Sequence, residues 1–209
     1  MTKNDLNLIA AFVDVNNPKV ELNFAYLGKD GIYATDTRKM IFFPIPMLDS
    51  DLFLHKKLLK GFASTVSKDE DISIDGLGYI RSMSCKMSCD TWNYSTQPKN
   101  IDYDKILNIE LSHKFTLESI NDLQFELSQR NCFIDSVHLD PIIENSECSK
   151  YHIQYEQQKE ITDENGTSTK SGMLKITGLY STEDEKDLVR FAAIVHGRTF
   201  KTEAKQAFL

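Results

Sequence analysis

The chain has 209 residues, enough for one large domain or two small ones, with a core that needs neither disulfides nor a structural metal. Hydrophobic residues make up 41% and charged residues 26%, as in an ordinary globular chain, and 24 basic against 31 acidic side chains leave a formal charge of −7. That sign excludes a protein that coats nucleic acid through a generally basic surface, and no run of about 18 apolar residues offers a membrane span.

Met1-Thr2-Lys3-Asn4-Asp5 leads straight into an amphipathic segment and lacks the apolar core of a signal peptide, so a soluble, cytoplasmic protein with no membrane partner is expected. Asn4 or Asp5 can cap a helix whose apolar positions are Leu6, Ile9, Phe12 and Val13, and Asn16-Asn17-Pro18 ends it. Val20 to Tyr26 alternates as a half-buried strand does. Gly28-Lys29-Asp30-Gly31 is a hairpin turn, and a strand from Ile32 to about Phe43 returns until Pro44 and Pro46 break it. Asp51 opens a second helix with Leu54, Leu58, Leu59 and Phe62 on one face and Lys56, Lys57 and Lys60 on the other. Short strands are expected at Asp71–Ile74, Tyr79–Met83 and Met87–Trp92, and residues 95–105 read as a polar linker.

The pattern then restarts. Ile109–Lys114 reads as a strand, Thr116–Arg130 as a third helix, and Ser136–Ile143 and Tyr151–Ile161 as strands. A polar loop over Thr162–Ser171 precedes a strand at Met173–Tyr180. Ser181–Phe200 fits either a helix, with Thr182 and Glu185 as a capping box, or a strand over Arg190–Phe200. Charge divides with the pattern: residues 1–64 carry eight basic and seven acidic side chains, whereas the rest carries sixteen and twenty-four.

Cys85 and Cys89 have no answering pair, and Cys132 and Cys148 are solitary, so the cysteines are expected as small buried hydrophobes rather than zinc ligands. The acidic run Glu183-Asp184-Glu185-Asp187 reads as a solvated loop. No nucleotide-binding, zinc-protease or hydrolase signature occurs, and the five histidines are scattered, so no catalysis and no cofactor are expected.

One ordered set of motifs carries a resemblance. Gly31-Ile32-Tyr33-Ala34-Thr35-Asp36-Thr37-Arg38-Lys39-Met40 is similar to the A-T-D-G-x-R-L strand-turn motif of bacterial replicative sliding clamps. The helix around His55–Phe62 follows in the family's order. Ile101-Asp102-Tyr103-Asp104-Lys105-Ile106-Leu107 is similar to its inter-domain connector, and Ile194-Val195-His196-Gly197-Arg198 resembles its closing V-M-P-M-R strand. The resemblance implies an α+β DNA-clamp fold of repeated β-α-β-β-β units, helices on one face of curved antiparallel sheets. It implies one clamp-like domain at residues 1–108 and a second, abbreviated one at 109–209, with the first strand missing or reduced to a few residues.

The function implied is that of a processivity factor that encircles duplex DNA without reading its sequence and tethers a DNA polymerase. Such a protein works as a homo-oligomeric ring, with three copies favoured, on a nucleoid of bacterial, phage or mobile-element origin. Its DNA-facing candidates are Lys3, Lys56, Lys57 and Lys60. Its outer pocket, which takes peptides from the polymerase and the clamp loader, maps to Thr35, Thr37, Arg38, Lys39, Met40, Val195, His196, Gly197 and Arg198. Thr37 stands where the family has glycine, and His196-Gly197 where it has proline and methionine. The alternative is a clamp-fold adaptor or decoy that binds replication proteins without encircling DNA, a reading favoured by the acidic third helix. Lys205-Gln206-Ala207-Phe208-Leu209 is faintly similar to the short peptides that dock in clamp pockets.

Overall fold

In a computed structural model of the chain, the described residues are 1–16, 18, 20–28, 30–45, 52–75, 79–88, 105, 107–162, 168–182 and 186–196. Helix α1 spans Lys3–Ala11. Thr2, two residues before the nearer of the expected caps, begins it: its Oγ1 accepts from Asp5 N at 3.3 Å and Asp5 Oδ2 accepts from Thr2 N at 2.7 Å. Leu6, Ile9, Phe12 and Val13 are all buried, as the spacing requires.

Val20–Asn23 forms a 3-10 turn, so only the second half of the expected strand is realised, as β1 (Phe24–Gly28). Leu22 O accepts from Asp14 N at 3.0 Å and holds that turn against the end of α1. Gly28 pairs with Gly31 to start β2 (Gly31–Thr35). A Cβ at Gly31 would lie 2.1 Å from the Phe43 carbonyl oxygen, which only glycine avoids. The strand expected from Ile32 to Phe43 is two strands, β2 and β3 (Lys39–Pro44), because Asp36 Oδ1 accepts from Arg38 N and Lys39 N, each at 2.9 Å, and reverses the chain.

Leu54 belongs to a strand, β4 (Leu52–His55), rather than to the second helix, since its place opposite Ala25 of β1 buries it fully. Helix α2 is Lys56–Thr65, capped by His55, whose Nδ1 accepts from Lys57 N at 3.1 Å. Strands β5 (Ser73–Ile74), β6 (Tyr79–Arg81) and β7 (Lys86–Ser88) form a separate three-stranded sheet. Of the expected linker, 95–104 lies outside the described residues.

In the second half, β8 (His113–Leu117) takes the first residues of the expected third helix; a 3-10 turn at Ile120–Asp122 and helix α3 (Leu123–Gln129) follow. The strand expected over Ser136–Ile143 is instead helix α4 (Ser136–Asn145). Val137, Leu139 and Ile143 fit strand alternation, but the core takes Leu139 and Ile142, three apart, and Asp135 caps the helix by accepting from Val137 N at 3.3 Å. The meander ends with β9 (Lys150–Thr162), β10 (Ser168–Ser181) and β11 (Asp187–His196). β9 and β10 pair out to Thr162 and Ser168, so much of the expected loop is hairpin. The ambiguous last segment is strand where it is described, because both edges of β11 are paired, to β10 and to β3.

These strands make one eight-stranded antiparallel sheet in the order β4-β1-β2-β3-β11-β10-β9-β8. The halves of the chain meet at β3 and β11, where Ile41 faces Ala193 and Met40 faces Ile194. On one face of the sheet, α1 packs against both α2 and α4, and one apolar cluster runs from Leu6 through Ile41 and Phe62 to Leu139 and Phe191. Met1 and Ile72 exchange two backbone hydrogen bonds, 3.0 and 2.8 Å, just before β5, and no strand precedes α1 among the described residues.

Candidate functional site

The β2–β3 turn and the end of β11 come from distant parts of the chain and lie side by side. Val195 pairs with Lys39, Ile194 with Met40, and His196 N donates to Arg38 O at 2.9 Å. Within the turn, Thr35 Oγ1 donates to Lys39 O at 2.9 Å and accepts from Thr37 N at 3.2 Å. Thr37 has φ 77°, a left-handed conformation that strains a β-branched residue and suits the glycine of the A-T-D-G motif.

The candidate pocket residues divide by exposure. Thr37, Arg38 and His196 are exposed and Thr35 is half-buried, a small polar surface at the end of the junction. Met40 and Val195 point inward, and Lys39 is 7% exposed. The Lys39 ammonium lies 4.0 Å from Asp36 Oδ2 and 5.1 Å from the centre of the Phe12 ring, and its burial lowers its pKa against the opposing pull of Asp36. Lys39 therefore braces the turn from beneath. Gly197 and Arg198 lie outside the described residues, as does most of the connector, although Leu107 O accepts from Lys175 Nζ at 2.5 Å.

His138 of α4 also belongs to this neighbourhood. Burial and the positive charge of Lys39 lower its pKa, against Asp36 and Asp135, and Arg38 lowers it further. Its Nδ1 is buried with no hydrogen-bond partner among the described residues. No sequence signal marks His138, because the segment around it reads as a strand.

The four candidate DNA-facing lysines also divide. Lys3 Nζ donates to Val66 O, the C-cap of α2, at 3.3 Å, and Lys56 Nζ donates to Val13 O, just past α1, at 2.6 Å. Each lysine sits at the start of one helix and satisfies a carbonyl at the end of the other. This reciprocal arrangement fits two antiparallel helices, a cation at each C-terminal dipole. Burial lowers the Lys56 pKa, with Lys60 and Lys39 adding to the effect. Lys57 and Lys60 remain exposed on α2.

The opposite end of the helical layer is acidic. Between Glu118 and Glu147 the sequence holds seven carboxylates and one basic side chain, Arg130. Arg130 pairs with Glu126 and lies 4.3 Å over the Phe115 ring. Of the acidic 183–187 run, Asp187 is described: its carboxylate is 3.7 Å from Lys150 Nζ and accepts from Ser181 Oγ at 3.0 Å, a strand-end contact.

No protein-family model matches the sequence, and no curated protein matches it. Among solved structures the chain is similar to the H. pylori beta clamp in complex with diflunisal, with a TM-score of 0.57 at 12% identity over 95% of this chain. The fold is therefore α+β of the sliding-clamp type, and the chain spans 64% of the length of that clamp chain.

Proposed function

We propose that this chain is a sliding-clamp-like processivity factor, non-enzymatic, that closes around duplex DNA as a ring of several copies and tethers a DNA polymerase. The observation that carries the reading is the β3–β11 junction in a clamp-type fold, which joins the Asp36-Thr37-Arg38 turn to the closing strand. The surface of Thr35, Thr37, Arg38 and His196, which Gly197 and Arg198 follow in the sequence, receives a short peptide of the polymerase or loader. Met40, Lys39 and Val195 support it from within. The chain acts as two clamp-like units, 1–108 and an abbreviated 109–209, and three copies complete the ring, in a cytoplasm where DNA and polymerase are at hand.

Lys57 and Lys60 make the sliding contact with phosphates, which needs loosely held charge rather than directed hydrogen bonds. Lys3 and Lys56 contribute through the helix pair instead. The decisive measurement is mass in solution by light scattering, with and without a primed DNA circle. A multimer retained on the circle and released on linearisation supports encirclement, and Lys57→Glu with Lys60→Glu abolishes the retention. A monomer at all concentrations that ignores DNA overturns it.

A second reading, an adaptor or decoy that occupies polymerase or loader without surrounding DNA, is favoured by the acidic α3–α4 face and by the engagement of two of the four lysines with carbonyls. On that reading the Lys57 and Lys60 reversals leave partner binding unchanged, while Arg38→Glu abolishes it.

A further inference from the structure

The chain as a whole is acidic, but the end of the β3–β11 junction is not. Over residues 31–44, which hold β2, its turn and β3, and over residues 188–196 of β11, Asp36 is the one carboxylate. It is already engaged: Oδ1 accepts from Arg38 N and Lys39 N, each at 2.9 Å, and Oδ2 lies 4.0 Å from the Lys39 ammonium beneath the turn. Asp36 therefore offsets Lys39 and cannot swing out to Arg38 without giving up both amide bonds. The Arg38 guanidinium is exposed and makes no hydrogen bond or ion pair among the described residues. Arg190, the other arginine of these strands, is paired with Asp5.

Two exposed side chains accompany Arg38. His196 is fixed beside it by the bond from its N to Arg38 O at 2.9 Å, and Thr37 precedes it in the turn. Thr37 holds a left-handed φ of 77°, costly for a β-branched residue, and its hydroxyl makes no hydrogen bond among the described residues in return. The amides of the turn are taken internally: Asp36 N by Lys39 O, Thr37 N by Thr35 Oγ1, and Arg38 N and Lys39 N by Asp36. A ligand thus meets side chains here rather than backbone. A guanidinium fork matches one carboxylate through two parallel hydrogen bonds. A nucleic-acid backbone needs a row of cations, which a single unpaired arginine does not supply.

We propose that Arg38, with Thr37 and His196 beside it, selects peptides that carry an aspartate or glutamate side chain, whose carboxylate forms the ion pair that Asp36 leaves open. The inference rests on the partner-surface reading given above and names the chemistry of the peptide that this surface takes.

The test is selection from a random library of short peptides, amidated at the C-terminus so that every carboxylate is a side chain. The immobilised full chain is compared with Arg38→Gln, Arg38→Glu and Thr37→Gly, and urea unfolding of each variant reports an intact fold. The parent is expected to enrich Asp or Glu at one position and Arg38→Gln to lose that preference. Replacing the acidic residue of the best peptide by its amide should weaken binding to the parent about tenfold, a comparison that needs no variant to fold. Thr37→Gly should bind the same peptide more weakly although the chain itself becomes more stable.

Peptides captured without acidic enrichment, yet lost in Arg38→Glu, overturn the carboxylate preference and leave the partner surface standing. Capture of no peptide, or capture that none of the three substitutions changes, removes the partner surface and the inference with it. A labelled DNA duplex held by the parent and released by Arg38→Gln assigns the arginine to phosphate and also overturns the proposal.

Discussion

The two halves of the chain solve the same packing problem differently. In residues 1–88, two helices lie together, each contributing a lysine that satisfies a carbonyl at the end of the other, with strands on two sheets. In residues 113–196 one four-stranded meander carries two helices whose surface is acidic, and its support comes from the first half: β11 pairs with β3 and α4 packs on α1. A half with its own helix pair keeps its polar ends satisfied internally. The second half, whose helices make no such reciprocal contacts among the described residues, pairs and packs onto the first at the junction, which is also where the candidate partner surface forms.

Phe191→Ala tests that dependence most severely. Phe191 is fully buried, 5.7 Å from the Phe43 ring across the junction, and a Cβ on Gly178 would come within 2.5 Å of it, a measure of how closely this region is filled. The variant should lose about 3–5 kcal/mol in urea unfolding, with exchange of β9 and β10 rising before that of β1 and β2. Simultaneous loss in both sheets' halves would mean that the halves do not differ in autonomy.

Asp5→Ala cuts a second tie. Asp5 receives Arg190 in a two-pronged contact, Nη2 to Oδ2 at 2.8 Å and Nε to Oδ1 at 3.1 Å, while it also caps α1. Loss of the cap and of a largely buried partner should cost about 2–3 kcal/mol. Arg190→Ala, which spares the cap, should cost less by about 1 kcal/mol in the same unfolding experiment.

Thr37→Gly should act in the opposite direction. Relief of the left-handed strain outweighs the added freedom of the unfolded chain, so a gain of up to about 1 kcal/mol is expected by thermal or urea unfolding. A loss would show that the Thr37 side chain contributes to the turn.

The smallest effect lies in the three-stranded sheet. Glu70 accepts from Ser84 Oγ at 2.7 Å, and hydrogen bonds from Ser82, Ser84 and the Ser67 backbone lower its pKa from 4.5 to about 2. A carboxyl with a lowered folded pKa supports the fold while ionised, so its contribution is complete above about pH 4.5 and disappears as the pH falls towards 2. The Ser84 amide shift, followed by NMR, should titrate with a midpoint near pH 2 in the parent chain and not in Glu70→Gln.

Much of the first half was legible in the sequence. The α1 register, the Gly28–Gly31 turn and the three short strands follow from local spacing and turn chemistry, whereas the A-T-D turn was legible only through the clamp resemblance, since spacing alone reads Ile32 to Phe43 as one strand. The errors fall where local pattern and tertiary contact compete. Leu54 fits a helix by spacing but pairs in a sheet, and Ser136–Ile143 alternates like a strand yet is a helix whose buried positions are Leu139 and Ile142. The candidate partner surface was readable as two motifs; that Lys39 lies beneath it and His138 beside it was not, because each depends on residues far away in sequence.

Composition, turn residues and short-range periodicity determined by themselves a chain of mixed helices and strands with a hairpin at Gly28–Gly31, since those depend on neighbours a few residues away, while the two motifs were legible only as a resemblance. Tertiary structure alone decided that β11 is a strand, that it lies between β10 and β3, and that Lys3 and Lys56 bond to carbonyls while Lys57 and Lys60 stay exposed. A strand's second edge and a lysine's partner are contributed by chain far away in sequence, so no local pattern encodes them.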